Sequence, residues 1–321
     1  MKRLLALILM GLLVLYIFGA IIETRLEADE WNAYMPLGRM IEVNNRQMHI
    51  FCIGESKSGQ PSIILEAGLG DSSFTWYSIQ LEISQMARVC SYDRSGYGWS
   101  DPGPGPRTAS VIADELHALL KAAEIDGPYL LVGHSFGGLC TRMFASHYPE
   151  EVAALLLVDS LNAEELARLP AWLRGPLLFI PALETGLGAI LESAGLLRWL
   201  AESNTIELSP VIEHLPKDVQ AEAKAQYYRT RTLTTAYTEQ IATAQSAVLA
   251  HEAGDLGTLP IIALVASNNM DNQSQAESDF AALSTNSRVL FVNNSQHYIH
   301  LVEPTIVLNA IQEALQIPEN E

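Results

Sequence analysis

The chain has 321 residues, enough for one large catalytic domain or two small ones, with a sizeable core in either case. Hydrophobic residues make up 49% of it and charged residues only 17%, a balance that excludes a disordered chain. The formal net charge is −18 and no basic block lies beyond the first three residues, so nucleic acid is not an expected partner; the acidity reads as a solvated, self-repelling surface.

Residues 4–22 carry no charge, follow Lys2 and Arg3, and precede Glu23 and Arg25. As a helix this stretch is about 28 Å long, close to the roughly 30 Å of a bilayer's hydrocarbon core, so residues 1–22 are predicted to be a transmembrane anchor. A cleaved signal peptide is the competing reading. Its apolar region is usually shorter and ends in a small-x-small site, which Phe18-Gly19-Ala20 fits poorly. Basic residues ahead of the span favour an N-inside, single-pass arrangement with the rest of the chain on the outer, periplasmic or extracellular, side. Residues 23–38 mix charges, aromatics and a proline without apolar periodicity and are expected to form a linker.

The folded domain is expected to begin near Arg39. Residues 39–43 and 47–53 read as two strands around Asn44-Asn45-Arg46, where asparagine tolerates the positive φ of a tight hairpin. Short apolar runs follow at 62–66, 88–92, 129–132, 153–158, 261–266 and 288–292. Continuous runs rich in Val, Ile and Leu are expected of parallel strands covered on both faces by helices. Residues 109–123 and 306–314 have helical spacing and supply two such covers. The alternation stops between 162 and 258, which carries helical patterns without a convincing strand and reads as an inserted helical cap. Within it residues 173–200 are unusually apolar, and Trp172 adjoins them. The expected role of this stripe is the packing face of a lid over the sheet; a lipid-facing or acyl-chain-binding surface is the alternative.

Residues 129–132 run directly into Gly133-His134-Ser135-Phe136-Gly137-Gly138, and a helix follows. In a strand, sharp turn, helix setting the glycines let the backbone turn tightly, and the serine hydroxyl projects where a helix N-terminus favours developing negative charge. Ser135 is therefore the candidate nucleophile. A serine hydroxyl needs a base within hydrogen-bond reach. His297 is the candidate: it follows the last strand, near the end of the chain, ahead of a final helix. His300 is the rival, and His134 is expected to point away from the hydroxyl. Cys52, Cys90 and Cys140 lack metal-ligand spacing, so no metal site is expected, and Cys140 reads as a small buried hydrophobe.

Over roughly residues 39–315 the chain resembles the α/β-hydrolase superfamily, and more closely its serine esterase and lipase-like members. Besides the Ser135 turn, the resemblance rests on Glu66-Ala67-Gly68-Leu69-Gly70, on Trp76, and on Tyr92-Asp93-Arg94-Ser95-Gly96-Tyr97-Gly98-Trp99-Ser100. It implies a mostly parallel eight-stranded α/β sheet with helices on both faces and a helical cap after the sixth strand, so that residues 39–161 and 259–321 form the core. It also implies an oxyanion hole from the backbone amides of Leu69 and Phe136. Many relatives have His-Gly where this chain has Ala67-Gly68. A serine at the turn separates the chain from haloalkane dehalogenases and epoxide hydrolases, which use an aspartate there.

For the acid of the triad two aspartates compete, both in the chain order serine, acid, histidine. Asp271 lies in the loop after residues 261–266, the commoner place, but Asn268 and Asn269 stand where the acid is expected. Asp159 ends the sixth strand, a position that some dehalogenase-like relatives use, and is preferred. The resemblance also sets the second strand beside the fourth, which brings Cys52 near Cys90 and makes a disulfide possible outside the membrane. The expected activity is hydrolysis of a hydrophobic, ester-type small molecule through an acyl-enzyme, with no cofactor. Acyl transfer to another acceptor, cofactor-free perhydrolysis and non-catalytic ligand binding are the alternatives.

Overall fold

In the computed structural model, which describes residues 1–203, 205–206, 209–267, 273–293 and 295–316, Asn44 and Asn45 both take positive φ, 51° and 62°. They turn β1 (Arg39–Val43) back onto β2 (Arg46–Ile53) as an antiparallel pair. β3 (Ser62–Glu66), β4 (Val89–Tyr92), β5 (Tyr129–His134), β6 (Val152–Val158), β7 (Ile261–Ala266) and β8 (Ser287–Val292) complete an eight-stranded sheet of order β1-β2-β4-β3-β5-β6-β7-β8. β2 is antiparallel to β1 and β4, and every other pair is parallel. This is the expected α/β sheet, with strand limits within two residues of those read from the apolar runs.

Helices cover both faces. α1 (Lys2–Ala33) precedes the sheet. α2 (Tyr77–Ile83) lies between β3 and β4, α3 (Ala109–Ala122) between β4 and β5, and α4 (Phe136–His147) between β5 and β6. The insertion after β6 consists of α5 (Ala163–Arg168), α6 (Ala171–Glu192), α7 (Leu196–Glu202), α8 (Val211–His214), α9 (Lys217–Tyr227) and α10 (Thr230–Glu252). α11 (Gln273–Ala281) links β7 to β8, and α12 (Ile299–Val302) and α13 (Pro304–Ala314) follow. Side chains alternate along the buried strands. Ile63, Leu65, Leu130, Val132, Leu156 and Leu264 share one core with residues of α2 and α13. Ile64, Leu131, Leu155, Leu157 and Ala263 share the other with α3 and α4.

Cys52 and Cys90 stand opposite each other on β2 and β4, Cα atoms 4.0 Å apart, and are joined by a disulfide; Cys140 is free and buried in α4.

Two expectations are corrected. Residues 23–33 are not an irregular linker but the last three turns of α1. Glu23, Glu27 and Glu30 recur at helical spacing on one side of it. The Arg198 guanidinium of α7 donates to Glu23 (2.6 Å) and to Glu30 (2.6 Å), and the Thr230 amide at the start of α10 donates to Glu27 (2.8 Å). Trp31 lies 4.7 Å from Trp99, centroid to centroid, with the Arg229 guanidinium 4.5 Å from the Trp31 centroid. A search for apolar periodicity passes over this segment because its contact face is acidic.

The apolar stripe of the cap is likewise not its packing face. Phe179, Ile180, Leu183, Leu187 and Ile190 of α6 are exposed, and α6 lies along α10 through smaller residues such as Gly186, set against the Tyr237 ring. α10 meets the core instead, with Ala236, Glu239, Thr243, Ser246 and Ala250 buried at spacings of three and four along one face.

Candidate active site

Ser135 sits between the last residue of β5 and the first of α4 with φ 53° and ψ −121°, a strained setting for a residue with a Cβ. Its amide donates to the Val158 carbonyl (3.2 Å), and its own carbonyl accepts from Gly138 (3.0 Å) and Leu161 (3.1 Å), so neighbouring segments hold the turn from both sides. A Cβ at Gly133 would come within 2.7 Å of the Gly137 carbonyl, and one at Gly137 would strike the Ala67 carbonyl. Both glycines are thus required by close approach. The Phe136 amide, at the first position of α4, has no partner inside the helix.

β6 lies beside β5, so Asp159 emerges next to this turn. It too has positive φ (44°), which a short polar side chain tolerates. Its carboxylate reaches over the end of β7, where Oδ1 accepts from the Ala266 amide (2.8 Å), and towards the loop after β8, where Oδ2 accepts from His297 Nδ1 (2.6 Å). With Nδ1 carrying the proton, Nε2 is the basic nitrogen of that ring. The His297 side chain is half exposed. Asp271, the other candidate acid, lies outside the described residues.

His134 has a task of its own. Its Nε2 donates to the His297 carbonyl (3.1 Å) and its ring lies 4.6 Å from that of His297, bracing the loop that carries the base. Burial, reinforced by any charge on His297, pushes His134 down to about 3 and keeps it neutral. His300 is buried against Trp76, ring centroids 4.3 Å apart, with Nε2 2.9 Å from the Thr75 hydroxyl, and burial pushes it well below the usual histidine range. Its Nε2 pairs with Thr75, while Asp159 pairs with His297.

The loop after β3 is held from within by Arg94. This buried guanidinium donates to the carbonyls of Ala67 (2.6 Å) and Gly68 (2.8 Å), to Glu66 (2.8 Å), and through two nitrogens to Glu239 of α10 (2.9 Å each). Tyr92 donates to Glu66, and Tyr97 to Glu239 (2.8 Å). With the carbonyls of residues 67 and 68 fixed, the orientation of the next amide, that of Leu69, is fixed too. Among the described residues that amide has no acceptor. Elsewhere in the 92–100 segment a buried aspartate ties neighbouring segments together. Asp93 accepts from His49 (2.8 Å) and from the amides of Ser73 (2.7 Å) and Trp99 (3.0 Å). Burial alone would raise Asp93, but His49 and the two amides outweigh it and hold it at about 2.

Sequence reasoning missed the Arg94–Glu239 tie, although Glu239 falls on the small-residue face of α10, where a carboxylate demands a buried cation. It also missed Asp71. That carboxyl is buried just beyond the loop and accepts from the Tyr227 hydroxyl (3.0 Å), and burial pushes it up to about 6. Nothing in the spacing of residues marks it.

Chemistry-bearing loops gathered at the carboxyl ends of β3, β5, β6 and β8 place the molecule in the open α/β class, whose sites lie at that edge of the sheet. Within that class the chain belongs to the α/β hydrolase fold family, whose model matches residues 61–304. It is 35% identical over 137 residues to an uncharacterized vacuolar membrane protein of Saccharomyces cerevisiae, covering 38% of this chain and 21% of that one. It is 38% identical over 98 residues to the uncharacterized protein YqjL of Bacillus subtilis, covering 30% and 39%. An AB hydrolase superfamily protein of Gibberella zeae is 34% identical over 105 residues, covering 32% and 33%. The chain therefore spans between about a fifth and two fifths of the length of these curated relatives.

Solved structures share the fold at low identity. A putative epoxide hydrolase of Pseudomonas aeruginosa superposes with TM-score 0.70 at 14% identity, covering 87% of this chain and 97% of that one. A thermophilic esterase of Thermogutta terrifontis gives 0.65 at 19%, covering 88% and 99%. The enol-lactonase of Burkholderia xenovorans gives 0.64 at 18%, covering 86% and 99%.

Proposed function

We propose that the chain is a serine hydrolase that cleaves an ester-type substrate through an acyl-enzyme on Ser135. The observation that carries this reading is the 2.6 Å hydrogen bond from His297 to Asp159, made beside a serine held at φ 53° on a strand-to-helix turn. Asp159 fixes the imidazole tautomer and stabilises the positive charge that forms when His297 Nε2 takes the serine proton. Ser135 Oγ attacks the carbonyl, and the oxyanion is held by the amides of Leu69 and Phe136, each worth a few kcal/mol in such sites (about 3 kcal/mol). His297 returns the proton to the leaving alcohol, then activates water against the acyl-enzyme. The fold neighbours named above include an epoxide hydrolase, an esterase and a lactonase; a serine at the turn favours the acyl chemistry of the last two.

Residues 4–22 anchor this enzyme in a membrane, with the catalytic domain on the outer side. Their large side chains are exposed along α1, Lys2 and Arg3 precede them, and the disulfide on the far side of the span fits an oxidising compartment. The yeast relative is itself a membrane protein by name.

An active-site-directed fluorophosphonate tests the chemistry. The protein is expected to take the label, and Ser135→Ala to lose both label and p-nitrophenyl ester turnover, with kcat/KM down by about 10⁴-fold or more. A folded wild-type protein that takes no label overturns the assignment.

A further inference from the structure

The α6–α7 corner of the cap presents large apolar side chains to its surroundings. Trp172 is 75% exposed, Phe179 61%, Leu183 57% and Trp199 62%, and Ile180, Leu187 and Ile190 continue the same surface. At about 100° per residue the large exposed apolar residues of α6 fall within a sector about 100° wide, and Glu184 lies about 40° outside it. Large exposed apolar side chains gathered in this way mark a binding surface.

The contacts of α1 say what lies against it. The Tyr16 hydroxyl is 2.6 Å from the Ser193 hydroxyl, at the end of α6. Three residues further on, a Cβ at Gly19 would run into the Ala194 carbonyl, so the absence of a side chain there lets α1 lie directly on the α6–α7 turn. Tyr16 is six residues inside the uncharged stretch that ends at Ile22, about 9 Å along the helix. Interfacial apolar faces are buried about 5–10 Å below the headgroups, the same depth. Just past the end of the stretch Arg198 is held between Glu23 and Glu30, so that this cation is neutralised by two carboxylates.

We propose that the outward face of α6 and α7 is a lipid-contacting surface, immersed in the outer leaflet of the bilayer that α1 spans. The proposal rests on the reading of residues 4–22 as the anchor. α6 is long enough to cross a membrane on its own, but it lies along α10, whose opposite face is bound into the core through Glu239 and Ser246. It therefore lies in the leaflet. α1, whose large apolar residues from Leu4 to Phe18 are exposed, meets this part of the cap at Ser193 and Ala194, which favours phospholipid over a second copy of the chain as the occupant.

Bimane placed on one introduced cysteine at a time in the full-length protein, whose own free Cys140 is buried, in phosphatidylcholine nanodiscs brominated high or low on the acyl chain, tests this. Met10→Cys reports the anchor, Leu183→Cys the α6 face, and Glu150→Cys the opposite end of the sheet. Bromolipid is expected to quench positions 10 and 183 about twofold, position 183 more by the shallow bromines, and to leave position 150 bright. Quenching at 10 but not at 183 overturns the proposal while leaving the anchor intact. In that case aqueous iodide reaching position 183 shows a water-facing surface, and iodide excluded from it shows a protein partner or second copy. Stronger quenching of 183 by the deep bromines means a crossing helix and also overturns it. No quenching at either 10 or 183 removes the anchor itself.

Discussion

Asp159 is the residue on which the proposed chemistry is most exposed to test. Asparagine in its place can still accept from the Ala266 amide but no longer holds His297 as a charged base. Asp159→Asn is expected to cut kcat by about 10⁴-fold, with KM changed little. Asp271→Asn, assayed beside it, is expected to stay within a few-fold of wild type, and the reverse pattern would transfer the role to Asp271. Asp71 yields a prediction of a different kind. Its carboxyl titrates at about 6 in the folded protein against 3.8 in the unfolded chain, because burial penalises the charged form. The folded state therefore binds this proton more tightly. The stability it supplies is complete below pH 4 and is lost as the pH rises through 6. Asp71→Asn is always neutral, so in denaturant melts it should match wild type at pH 4 and gain on it by pH 8, by about 3 kcal/mol at most. A difference that does not vary with pH would show that Asp71 is not the group responsible.

The elements show how far a single sequence can be read. The inner strands were legible because strands buried on both faces leave short apolar runs, β1 and β2 because Asn44 and Asn45 mark a hairpin, and β5 leading into Ser135 made the turn recognisable. His297 was legible by its place after β8. What escaped was polar and distant in sequence: the acidic face of α1, which matches Arg198 far along the chain, and Glu239, whose partner Arg94 lies 145 residues away. Apolar periodicity carries no information on such pairs. The stripe of α6 was seen, but its preferred reading as a packing face failed because its large side chains are exposed; hydrophobicity alone does not separate that reading from the lipid-facing or acyl-binding alternative. The strand pairing itself is testable at the β2–β4 bond. Replacing Cys52 and Cys90 together by serine is expected to lower unfolding stability by about 2–4 kcal/mol while leaving ester turnover at low temperature near wild type. The wild-type protein, unfolded without reductant, should titrate one thiol, that of Cys140.

For the molecule as a whole, the tie between Arg94 and Glu239 joins the cap to the edge of the sheet that carries the candidate site. Glu239→Gln keeps the size of the side chain and removes its charge. It is expected to reduce kcat roughly 10–100-fold on the proposed mechanism, with less effect on KM, because the carbonyls of residues 67 and 68 lose a firmly held partner. Arg94→Lys should not restore activity, since one ammonium cannot reach two carboxylates and two carbonyls together. A variant that unfolds in circular dichroism tells only of packing, so the kcat of the folded Glu239→Gln protein is the deciding measurement.

The same guanidinium has a further consequence for how substrate arrives. A cap hinged as a free flap would tear Glu239 from Arg94 at every opening and slacken the loop whose amide is to meet the oxyanion. Entry by lifting α10 would disarm the enzyme each time it fed. On the proposed mechanism substrate is expected to enter while that helix stays clamped, so a cross-link that pins α10 to the core should leave turnover running.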